Sequence, residues 1–130
     1  MVTKSQLDAL VDEAVKGGQN AYIPYSQYRV GAAVLTESGK VVHGCNIENA
    51  SYSASMCGER VALFNAVSQG EAISAIAIVT DNAGTSCGFC RQVMHELCPN
   101  ATVIFSTPDK RTQHVYTVKE LLPHAFKLEN

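Results

Sequence analysis

The sequence carries no block of like charge, no apolar run approaching a membrane span, no internal repeat and no low-complexity segment. Each absence removes a class of function. Ten Lys and Arg stand against twelve Asp and Glu, a net charge of −2. Nothing therefore marks a nucleic-acid groove or a patch for an anionic membrane. Crossing a bilayer takes about twenty consecutive apolar residues, and none are available. Met1-Val2-Thr3-Lys4 leads into a polar, periodic stretch and not into the apolar core of a signal peptide. With no sign of export, Cys45, Cys57, Cys87, Cys90 and Cys98 are expected to be thiols, and the expected location is the cytoplasm. His43, His95, His114 and His124 form no zinc-ligand spacing with those cysteines.

What is present is concentrated in two short stretches, Cys57-Gly58-Glu59-Arg60 and Cys87-Gly88-Phe89-Cys90-Arg91-Gln92. Three cysteines are one ligand short of a closed structural zinc site, which usually takes four protein ligands. An open fourth position suits a zinc-bound water, whose pKa the metal lowers to about 7. Glu59, two residues from Cys57, is a candidate proton carrier beside that water. Each motif alone is weak: Cys87-x-x-Cys90 also fits a redox dithiol, and Cys45 could complete a four-cysteine site. Cys98 lies about two helical turns past Cys90 and is out of reach.

The remainder of the 130-residue chain reads as one domain over 1–130 with enough length to bury a core. Leu7, Leu10, Val11, Ala14 and Val15 follow helical spacing, Thr3 and Gln6 match a capping box, and Gly17-Gly18 stops the helix. An aromatic connector over 21–28, broken by Pro24, precedes two strands at Val30–Leu35 and Lys40–Cys45. Asn46-Ile47-Glu48-Asn49 follows, either a binding loop or a solvated turn. A second helix starts near Met56, and Ile73–Thr80 is a buried strand. A third helix opens at Cys87, Ala101–Ser106 is a strand, and His114–Tyr116 is a short edge strand. Thr117 and Glu120 form a second capping box for a last helix. This order predicts an α/β fold, a three-layer α-β-α sandwich around a mixed sheet of about five strands.

Both cysteine motifs then fall at helix starts. Unpaired N–H groups and the positive end of the helix dipole favour thiolates there. Three thiolates around one dication leave an excess negative charge, which Arg60 and Arg91 are placed to offset by donating to the sulfurs.

The sequence resembles the cytidine deaminase family, in its small, three-cysteine, homotetrameric branch. The resemblance rests on Ala21-Tyr22-Ile23-Pro24-Tyr25-Ser26, Val30-Gly31-Ala32-Ala33, Gly44-Cys45-Asn46-Ile47-Glu48-Asn49-Ala50, the two cysteine motifs, and Leu121-Leu122-Pro123-His124-Ala125-Phe126, all in family order. It implies one zinc per chain on Cys57, Cys87 and Cys90, with Glu59 as proton shuttle and Arg60 hydrogen-bonded to the thiolates. It further implies substrate contacts from Tyr28, Asn46, Glu48, Tyr52, Gly58 and Phe126. Asn46 and Glu48 resemble the pair that grips the ribose hydroxyls, and Tyr28 the aromatic that packs on the pyrimidine. Tyr52 and Phe126 resemble residues that reach a neighbouring subunit's site in a tetramer. Ser86 stands where the family nearly always has Pro, and Gly58 where Ala is usual, so a looser zinc loop and helix start are expected.

The implied reaction is hydrolytic deamination of cytidine and deoxycytidine, a step of pyrimidine salvage. A sibling activity on polynucleotide cytosine is disfavoured by the absent basic surface. A non-catalytic zinc domain or redox protein would have no use for Glu59.

Overall fold

In the computed structural model, which describes residues 1–129, each element follows from a local signal. Helix α1 spans Lys4–Gly18, and both hydrogen bonds of the Thr3–Gln6 capping box are formed. Strands β1 (Gly31–Thr36) and β2 (Val41–Cys45) form a hairpin, whose turn uses Gly39 at φ +92°. A 3₁₀ turn at Tyr52–Ala54, which the sequence pattern does not announce, leads into α2 (Gly58–Ser68). Then come β3 (Ile73–Val79), α3 (Gly88–Leu97), β4 (Thr102–Ser106), β5 (Gln113–Thr117) and the single-turn α4 (Val118–Leu121). The second capping box, Thr117 with Glu120, is also complete. Boundaries differ from the sequence expectation by only a residue or two, which is normal fraying.

The five strands form one mixed sheet in the order β2-β1-β3-β4-β5, with β3 and β4 parallel and the other pairs antiparallel. Period-two alternation divides each inner strand between two faces. On one face Ala32, Val34, Ile76, Ile78, Val103 and Phe105 meet Ala62, Leu63 and Ala66 of α2, Cys90 and Met94 of α3, and Val118 and Leu121 of α4. On the other face Ala33, Ala75, Ala77, Val79 and Ile104 meet Leu7, Leu10, Val11 and Ala14 of α1. Small residues dominate this second face, so α1 lies close to the sheet. The expected three-layer α-β-α sandwich is the observed one. No helix among the described residues is long and apolar enough to cross a membrane.

Register decides where chemistry collects. Gly31 pairs with both Cys45 and Val79, and Val79 pairs with Ser106. The start of β1 and the ends of β2, β3 and β4 therefore lie along one edge of the sheet. Cys45-Asn46 and the loop from Thr80 to Ser86 emerge there, beside the carboxyl ends of the parallel pair, where α/β sheets characteristically bind ligands.

Candidate metal centre and active site

Cys57 is the N-cap of α2 and Cys87 the N-cap of α3, so the two motifs do open the two helices. Neither sulfur caps its own helix by accepting from a backbone N–H, which leaves both available to a metal. Cys90 lies one turn into α3 and is fully buried. The three Sγ atoms lie within 4.8 Å of one another, with Cys57–Cys87 at 4.0 Å and Cys87–Cys90 at 3.6 Å. Tetrahedral zinc–thiolate bonds of about 2.3 Å put sulfurs about 3.8 Å apart, so the trio matches the spacing a zinc ion demands. Cys45 and Cys98 stay outside the cluster; each is shielded, and burial pushes both thiols up, Cys98 to about 12.

Electrostatics point the same way. The Cys90 thiol beside it, and then Arg60, pull Cys57 down to about 5, while Cys90 is pushed up by its bond to Cys57 and by burial. One negative charge sits easily among the three sulfurs, and a dication is what allows the others to ionise. Arg60 donates from Nη2 to Cys57 Sγ at 3.2 Å and stands over the Phe89 ring at 5.8 Å. Its Nε is buried with no acceptor among the described residues, a spare donor against sulfurs that gain charge when a metal binds. The donor set fits zinc.

Arg91 departs from expectation. Its guanidinium turns from the sulfurs and donates to two backbone carbonyls and a hydroxyl: Nε to Ser86 O at 2.9 Å, Nη1 to Leu121 O at 2.8 Å, and Nη2 to Thr85 Oγ1 at 3.1 Å. A planar fork with five donors suits tying a loop to the C-terminal segment.

Glu59 sits in the first turn of α2 and is only 5% exposed. Burial raises its carboxyl above the usual range, and the Ser86 hydroxyl donates to its Oε2 at 2.6 Å. Gly58 lies against the sheet edge. A Cβ there would stand 3.0 Å from Val30 Cγ1 and Val30 O and 3.2 Å from Asn46 N, so the missing side chain lets α2 close on the sheet edge.

The other candidates lie on the aromatic connector, the loops and the C-terminal segment. Asn46, buried, accepts from Val30 N at 3.0 Å and donates to Tyr28 O at 2.7 Å, which leaves one amide N–H uncommitted. Glu48 Oε1 accepts from Tyr25 N at 3.0 Å and Ser26 N at 3.1 Å, fixing the aromatic connector. Hydrogen bonds from the Ser26 side chain first, then the two backbone amides, hold its carboxyl below the usual range. Tyr28 O–H donates to Asn82 Oδ1 at 2.7 Å, which ties the connector to the loop after β3. Asn82 was not singled out from the sequence; its position in the Asp81–Ser86 loop was the only signal. Tyr52 and Phe126 are 85% and 69% exposed, with nothing in the single chain covering them. Gln92 Nε2 donates to Phe126 O at 3.0 Å, so the C-terminal segment is anchored to α3.

Comparison with known proteins gives the same picture. Residues 4–107 match the family described as the cytidine and deoxycytidylate deaminase zinc-binding region. The chain is 47% identical over 124 residues to a cytidine deaminase of Halalkalibacterium halodurans, covering 93% of this chain and 94% of that one. It is 44% identical over 127 residues to a cytidine deaminase of Sporosarcina psychrophila, covering 95% and 93%. The crystal structure of cytidine deaminase from Burkholderia pseudomallei superposes with a TM-score of 0.87 at 43% identity, over 96% of this chain and 100% of that one.

Proposed function

This chain belongs to the cytidine and deoxycytidylate deaminase zinc-binding family, and on that premise we propose that it hydrolyses cytidine and deoxycytidine to uridine and deoxyuridine, consuming water and releasing ammonia. The observation that carries the reading is a buried carboxylate, Glu59, in the same helical turn as one of three clustered thiols. A structural zinc site or a redox dithiol has no use for it.

Cys57, Cys87 and Cys90 would hold the zinc cofactor, which would supply a Lewis acid to activate a water as the nucleophile toward ring C4. Glu59 takes the proton that this water gives up and delivers it to ring N3. It then carries the second proton to the departing amine, serving as base and then as acid. Burial raises its carboxyl above the usual carboxylate range. Arg60 offsets the charge of the thiolates through its contact with Cys57.

Around this centre the other candidate groups orient the nucleoside. Asn46 offers its free N–H, and Glu48 offers Oε2, to the ribose hydroxyls. Glu48 remains an ionised acceptor because the connector's donors favour its charge. Tyr28 packs against the pyrimidine, and Gly58 lets the ring approach the start of α2. Tyr52 and Phe126, exposed here, complete the site of a neighbouring copy in a homotetramer of such single domains. The setting is the cytoplasm and the role pyrimidine salvage, with free nucleosides and not nucleic acid as substrates.

The test is ultraviolet loss of cytidine together with ammonia release, before and after zinc removal by a chelator. We expect equal moles of ammonia and uridine, activity lost with the metal and restored by zinc. A zinc-loaded protein that leaves cytidine unchanged removes the reading. Sedimentation of a fully active single chain removes the tetramer.

A further inference from the structure

We infer that Ser86 is a positioning residue for Glu59: its hydroxyl holds the carboxylate by Oε2 and leaves Oε1 to meet the reacting atoms. The inference rests on the reading of Glu59 as the proton carrier and adds a residue to it.

Three observations support the assignment. The contact is short, with Ser86 Oγ to Glu59 Oε2 at 2.6 Å, inside the range of charge-assisted O–H···O⁻ bonds. Ser86 and Glu59 are both 5% exposed, so solvent offers no ready substitute for the donor. Among the described residues, Ser86 is the one side chain that donates to this carboxylate.

Ser86 is itself held firmly. It precedes the N-cap of α3, and its carbonyl accepts from Arg91 Nε at 2.9 Å. The same guanidinium reaches Leu121 O and Thr85 Oγ1, so the serine backbone is pinned between α3, its own loop and the end of α4. Only the hydroxyl is free to turn, and it turns toward Glu59. Where Pro is usual no such donor exists, so its effect belongs to this chain and is physical. The terminal torsion of a glutamate is broad and nearly two-fold, so packing alone leaves the carboxylate plane poorly defined. A group that must receive a proton at one place and release it at another loses rate when its plane wanders. A fixed donor on one oxygen settles which oxygen faces the ring.

The experiment compares Ser86→Ala, Ser86→Thr and Glu59→Gln, each in the full chain loaded with zinc. Hydrogen bonds to charged groups and modest misplacement of reacting groups both act on the order of ten- to a hundredfold. Ser86→Ala is expected to lose about tenfold or more in kcat with KM within about twofold, while keeping one zinc per chain and the native thermal midpoint. Ser86→Thr, which keeps the hydroxyl, is expected to recover most of that loss. A crystal structure of Ser86→Ala should show Glu59 in more than one side-chain orientation. The inference is overturned if Ser86→Ala keeps kcat within about twofold, if its loss tracks lost zinc or lost stability, or if Ser86→Thr is equally slow. Native-like turnover in Glu59→Gln would overturn the proton-carrier reading itself, and this inference with it. An inert Glu59→Gln beside a near-normal Ser86→Ala would remove only the role of Ser86.

Discussion

Helix α2 brings both a sulfur and the carboxylate to the site, and its seat on the sheet is Gly44. A Cβ built there would lie 2.5 Å from Ala62 N, 2.6 Å from Gly58 O and 2.8 Å from Ala62 Cβ. Two of those neighbours are backbone atoms, which cannot swing aside as a side-chain end would. In Gly44→Ala, restoring ordinary contact of 3.4 Å requires α2 to back away from β2 by about 0.9 Å. Overpacking typically costs about 1–3 kcal/mol, and a rigid neighbour places this case at the upper end, ~3 kcal/mol. For a chain of this size that is a fall of about 10 °C in thermal midpoint. The functional effect is separate. Cys57 and Glu59 travel with α2 while Cys87 and Cys90 stay with α3, so the variant spreads the sulfur cluster. A shift near 1 Å at a reacting group can cost about a hundredfold in rate. The measurement is thermal unfolding followed by circular dichroism, paired with zinc per chain and cytidine turnover. Gly88→Ala serves as the comparison, because a Cβ at Gly88 meets nothing within 4 Å and its stability should hold. A Gly44→Ala protein within about 2 °C of native, fully zinc-loaded and active, would refute the claim that backbone contact at this glycine positions α2.

Two further outcomes follow from the electrostatics. Glu48 has a folded pKa below its ordinary 4.5, so its contribution to stability is present above the unfolded value and is lost as pH falls through the folded one. The stability gap between native and Glu48→Gln in urea unfolding should stay level from neutral pH to about 5 and close below 4.5; a gap unchanged at pH 3 would contradict this. Cys98, buried and pushed up to about 12, should carry on the order of a thousandfold less thiolate near pH 8 than an ordinary cysteine. Mass spectrometry after alkylation of the native, zinc-loaded protein should find Cys98 unmodified, and rapid labelling there would show that the site opens.

Much of the fold was legible because its signals are local. The α1 stripe, both capping boxes and the buried run of β3 each depend on residues a few positions apart, and all appear as read. The metal trio was legible because two short motifs fix where their helices begin. What the sequence hid depends on partners far along the chain. Arg91 was expected to turn toward the sulfur next to it, yet its partners include a carbonyl thirty residues on. Ser86 read as a loosened loop position, because its partner Glu59 lies on another helix. The close approach of Val30 to Gly58 was likewise hidden, because spacing cannot reveal what stands beside a glycine. The Tyr52–Ala54 turn has no periodic pattern to announce it.

The pairing that gathers four strand termini at one edge also leaves the opposite edge without chemical duties. There the hairpin turn at Gly39 and the turn at Gly70 both take positive φ, and a side chain at either would meet open space. They are joined by a backbone hydrogen bond, Glu37 N to Ala72 O at 2.8 Å, and by polar side-chain ties, Ser38 Oγ to Glu71 Oε2 at 2.8 Å and Lys40 Nζ to Glu71 Oε1 at 3.7 Å. The molecule thus has a working rim and a handle. Mutational drift, an added tag or a lengthened turn can accumulate at the handle while the rim holds its geometry, because the intervening strands transmit register and not loop length.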